Sequence, residues 1–114
     1  MKFLSVTTVD FSQAKPVTPE MMQRMEDLIT EMRAKGVLLD TGGRHPGMAA
    51  FTVVNKDGNH TVIDGPFAET KELVGGFAIM DCADRDEAIA WTKRGLEIAG
   101  NATAHVHEIM PTPE

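Results

Sequence analysis

The feature that most constrains this chain is the block Val62-Ile63-Asp64-Gly65-Pro66-Phe67-Ala68-Glu69-Thr70-Lys71-Glu72, where an apolar run stops at a carboxylate and a Gly-Pro corner. Proline has no N–H to give to a strand ladder, so the strand must end at Asp64 and the chain must turn. Phe67 supplies an apolar anchor just past the corner, and Glu69, Thr70, Lys71 and Glu72 crowd charge and hydrogen-bonding groups behind it. The pair Gly75-Gly76 then opens a second apolar run, Phe77 to Met80. Two readings of the corner stand side by side: a tight turn with a solvated loop, or a corner that lines a pocket.

The hydrophobic period assigns the remaining elements. Phe3 to Val9 alternates as a strand with unequally buried faces. Asp10 to Pro19 is a loop ending with Thr18 as N-cap and Pro19 at the first helical position. Met21, Met25, Leu28 and Met32 recur at helical spacing, widened by Met22 and Ile29, until Gly36 ends the helix. These thioethers read as flexible packing for a core or a dimer contact. Val37 to Asp40 is a short strand entering the glycine-rich loop Thr41 to Gly47, which carries Arg44 and His45 and is a second candidate site. Phe51 to Val54 and His60 to Ile63 flank Asp57-Gly58, a hairpin signal.

Gly76 to Cys82 is a further strand, and Asp84 with Glu87 three positions on opens a second helix in the manner of a capping box. Its apolar face is Ala88, Ile89, Leu96 and Ala99, with Trp91 at the edge and Gly100 at the end. Thr103 to Met110 alternates as the last strand, with His105, His107 and Ile109 on one face. Strand, helix, short strand, hairpin, strand, helix, strand predicts an α+β architecture: two helices against one face of a mainly antiparallel sheet.

At 114 residues the chain is expected to be one domain, residues 1–114, short enough that dimerisation would help it. Hydrophobic residues at 42% and charged residues at 25% exclude a disordered or membrane-spanning class. A net charge of -6, with scattered Lys and Arg, argues against nucleic acid as a partner. No apolar stretch approaches the roughly 20 residues of a spanning helix, and the start Met1-Lys2-Phe3-Leu4-Ser5 runs into polar residues instead of a signal-peptide core, so no membrane partner is expected and the cytoplasm is the expected compartment. The single Cys82 cannot form an internal disulfide; it reads as a small buried hydrophobe, with a reactive thiol as the alternative.

Proton transfer needs a carboxylate or imidazole held half dry beside its substrate and oriented by a second polar group. Asp64 is the leading candidate, as general acid or base, and His45 is its candidate partner. Arg44, Phe67 and Lys71 are the candidate substrate contacts. The structural alternative for Asp64 is a turn cap accepting backbone N–H bonds; for Lys71 it is a salt-bridged loop with Glu69 and Glu72. His105 and His107 at i, i+2 read as surface strand histidines, so no metal site is expected. Neither glycine pair has the G-x-G-x-x-G spacing and no serine sits in a nucleophile elbow, so no cofactor is expected.

DGPF at 64–67, followed by AETKE, then Gly75-Gly76 and an apolar strand, resembles the signature of the DGPF branch of the YCII-related family. The resemblance extends over most of the chain in the order of its elements. It implies a ferredoxin-like sandwich of the dimeric α/β barrel type that pairs as a homodimer. One arrangement in that family sets a histidine against an aspartate in a cleft beside the sheet; the aspartate corresponds to Asp64, while no histidine occurs before His45 in this chain. Two functions are therefore expected to compete. The first is a cofactor-free proton-transfer enzyme, of isomerase or lyase type, acting on a small polar or cyclic organic molecule. The second is a non-catalytic module that binds a metabolite or a regulatory partner protein.

Overall fold

The computed structural model describes residues 1–10, 12, 16–43, 51–65 and 72–112. In chain order the elements are β1 (Lys2–Asp10), α1 (Pro19–Ala34), β2 (Leu38–Gly43), β3 (Phe51–Lys56), β4 (Asn59–Asp64), β5 (Glu72–Asp81), α2 (Arg85–Ala99) and β6 (Thr103–Glu108). Local chemistry sets their ends. Thr18 caps α1 by accepting from the Met21 amide at 3.1 Å, with Pro19 at the first turn, and Gly36 turns the chain out at φ +70°. Asp84 caps α2 by accepting from the Glu87 amide at 2.8 Å, and Glu87 Oε1 accepts in return from the Ala83 amide at 2.9 Å.

Four strands form one sheet in the order β2-β5-β1-β6, every neighbouring pair antiparallel. β1 and β2 flank β5, and β5 and β6 flank β1, so two split β-α-β units interlock. That is the ferredoxin-like α+β fold, with both helices on one face of the sheet. Phe3, Leu28, Met32, Val37, Leu38, Met80, Cys82, Ala88 and Trp91 form the core between the layers. Trp91, read from the sequence as an edge residue, is instead a core residue, and Met22, read as part of the apolar stripe, is exposed.

The hairpin departs from the expected single sheet. Among the described residues β3 and β4 pair only with each other, around a turn with Asp57 at φ 53° and Gly58 at φ 84°. Positive φ at both turn residues matches strand twist and closes the pair locally. At its base Gly65 stands at φ +80° immediately before Pro66, so the β4 ladder has no N–H with which to continue. Among the described residues no helix is long and apolar enough to cross a membrane.

Candidate functional site

Side chains alternate across a strand, so residues in register on one face form rows that run across the whole sheet. The first row on the helix face, Leu38, Met80 and Phe3, is bulky and buried and fills the space beneath the helices. The next row is Thr41, Ala78, Ser5 and Val106, and the third is Gly43, Gly76, Thr7 and Ala104. Volume therefore drops along the sheet while the helices continue overhead. The result is a cavity of about 500 Å³ between sheet and helices, roofed by Met25, Ile29 and Leu28 of α1 and by Trp91, Gly95 and Leu96 of α2.

The glycine row cannot be filled by substitution. A Cβ on Gly76 would stand 2.8 Å from the Gly42 carbonyl oxygen, because β2 and β5 pair there without side chains between them. Gly75 is the extra residue of a bulge opposite Thr7 and Thr8, and its Cβ would meet Val9 Cγ2 at 2.8 Å. The sparse polar lining is specific. The hydroxyl of Thr41 donates to the Phe77 carbonyl at 2.9 Å and that of Thr92 to the Ala88 carbonyl at 2.7 Å. Ser5 is 7% exposed, and its hydroxyl makes no hydrogen bond among the described residues. The Thr7 hydroxyl on the third row makes none either, and both hydroxyls reach the open space of the cavity, where a ligand or water can pair with them. Among the described residues the lining carries no ionisable group.

Over the cavity the helices are tied by Arg94, whose two terminal nitrogens reach both carboxylate oxygens of Glu31. That contact holds the Glu31 carboxyl below its ordinary value. Arg94 and Lys35 also flank the Trp91 ring, 5.0 and 5.4 Å from its centroid. A second hollow, of about 510 Å³, lies between α2 and β6 and is lined by Arg85, Lys93 and Glu108 among others.

A model of the YCII-related domain matches residues 1–111. The chain belongs to the YCII-related family. An uncharacterized protein of Rhizobium meliloti (strain 1021) is 44% identical to it over 66 residues, 58% of this chain and 52% of that protein. The chain thus spans about half the length of the curated relative it matches. It is also similar in structure to the 5-chloro-2-hydroxyhydroquinone dehydrochlorinase of Burkholderia phenoliruptrix AC1100, solved in complex with 2,5-dihydroxybenzoquinone; the TM-score is 0.49, the identity 16%, and the match covers 96% of this chain and 94% of that one.

In this YCII-related chain Asp64 is the last residue of β4, exposed and opposite Phe51, and it lines neither hollow. No donor among the described residues reaches its carboxylate. Arg44, His45, Phe67 and Lys71 lie outside the described residues. His60 faces Asn55 across the hairpin and is not a neighbour of His105 and His107, which face Val6 and Leu4 on β1. Among the described residues no group of three or more His, Cys, Asp or Glu gathers to hold a metal ion. Cys82 is 2% exposed, and desolvation, helped by the charges of Glu87 and Asp81, pushes its thiol up to about 11. The cavity residues Ser5, Thr7, Thr41 and Ala78 carry no local motif; their small size becomes a signal only once the register aligns them.

Proposed function

We propose that this protein is a cytoplasmic homodimer that binds a small, largely apolar cyclic metabolite in the cavity between sheet and helices. The carrying observation is the pair of small-residue rows, which leaves about 500 Å³ lined, among the described residues, by apolar groups, the Ser5 and Thr7 hydroxyls without a hydrogen bond, and no charge. Such a volume is within the range of about 300–1,000 Å³ typical of ligand sites. The apolar lining favours a neutral ring, and the Ser5 and Thr7 hydroxyls offer it polar anchors.

A thermal-shift panel of small cyclic and aromatic alcohols, with aliphatic carboxylates as the counter-panel, tests this. A ligand at about 100 times its Kd adds about 2.7 kcal/mol to stability. Ala78→Met fills the second row with a flexible side chain, so it should keep the fold and abolish the shift. A shift that survives Ala78→Met, or that carboxylates alone produce, would place binding elsewhere.

A separate, enzymatic reading keeps one observation: no described donor caps the Asp64 carboxylate, which stands exposed at the end of β4, outside both hollows. In that reading Asp64 and His45 move the proton, and Arg44, Phe67 and Lys71 hold the substrate. Asp64→Asn should then slow conversion of a substrate held at the Asp64 corner by about 100-fold or more at unchanged melting temperature. A lower melting temperature with no effect on conversion would return Asp64 to a role in the turn.

A further inference from the structure

Gly95 stands in the interior of α2, and among the described residues nothing around it asks for a glycine. It keeps a helical backbone and is not one of the glycines at positive φ. A Cβ added to it would meet no described atom within 4 Å, whereas one on Gly76 strikes the Gly42 carbonyl oxygen. A glycine inside a helix loses more backbone freedom on folding than an alanine and weakens the helix. Helix stability therefore favours an alanine here, and no described contact opposes it.

The place of Gly95 in the cavity gives it a use. Trp91, Gly95 and Ala99 all line the cavity and succeed one another at four-residue steps, about 6 Å apart along the helix axis. Trp91 packs in the core with Phe3, Met80 and Leu38 of the bulky first row, and Ala99 closes the helix that leads to Ala104 of the third row. Rows on one sheet face repeat at about 6.7 Å, so roof and floor lose bulk in step. Gly95 comes one row after Trp91, toward Ser5 and Ala78, and no side chain descends from the roof there. Ser5 is 7% exposed, lines this space, and its hydroxyl makes no hydrogen bond among the described residues. A buried hydroxyl of that kind points to a ligand with a polar group to pair with it.

We infer that Gly95 sets the size of the ligand: the side chain it lacks is the space for an apolar substituent on the ring that Ser5 and Thr7 anchor. The inference rests on the cavity ligand proposed above and narrows its class, from a neutral ring to a neutral ring alcohol that carries a branched alkyl group. An alanine methyl at position 95 overlaps that group and leaves a bare ring its room.

The test uses phenol and cyclohexanol, each with and without a para-isopropyl group, titrated calorimetrically into the full chain and its variants. Gly95→Ala should raise the melting temperature of the free protein by about 4 °C. It should cut affinity for the isopropyl compounds by about tenfold or more and leave that for the bare rings within about twofold. Gly95→Ser, a poorer helix former of similar size, should give a smaller rise and the same loss, which separates ligand size from helix stability. Wild-type protein that binds none of the four compounds, or binding that survives Ala78→Met, would overturn the cavity reading and this inference together. Binding in the cavity that Gly95→Ala leaves unchanged, or weakens equally for bare and substituted rings, would overturn the role of Gly95 alone. So would a melting temperature that falls in both variants, which would make Gly95 a packing residue.

Discussion

Cys82 shows how far a single residue can be read. Its sequence position, after Ile79-Met80-Asp81, favours a small buried hydrophobe, and it is a core residue with its thiol raised to about 11. The sign follows directly: burial disfavours the thiolate, so the unfolded chain ionises first. The stabilisation is complete below the reference value of 9.0 and is lost as pH rises through about 11. Cys82→Ala should therefore flatten the fall of unfolding free energy across that window, measured by urea titration at a series of pH values. An unchanged slope would mean that the native thiol titrates like a free one. Ser5 is the opposite case. Nothing near it in sequence marks a site, and it matters because Ala78 stands beside it, with Thr41 beyond, on strands far away in the chain.

The elements were legible because their signals are local. Thr18, Pro19 and Gly36 bound α1, and Asp84, Glu87 and Gly100 bound α2, by hydrogen bonds and backbone angles that span a few residues. Asp84→Ala should cost about 1 kcal/mol, read as a lower denaturant midpoint at unchanged slope. No change would mean that Glu87, through the Ala83 amide, holds the helix start by itself. Trp91 marks the limit of period reading. Its place on the helix wheel suggests an edge, yet Lys35 and Arg94 close over the ring, and Lys35 comes from the end of the other helix.

At the scale of the molecule, periodicity, caps and turn residues determined by themselves the order strand, helix, strand, hairpin, strand, helix, strand seen among the described residues, since each depends on neighbours within a turn or a strand, while the ferredoxin-like arrangement was implied by the family resemblance. The pairing of strands was decided only in three dimensions. Register aligned Gly43 with Gly76 and Thr7 and so opened the cavity; closure of β3 on β4 separated the hairpin from the sheet and left Asp64 exposed on it. Neither outcome is written in a local motif, because each depends on which backbone hydrogen bonds form between segments distant in sequence.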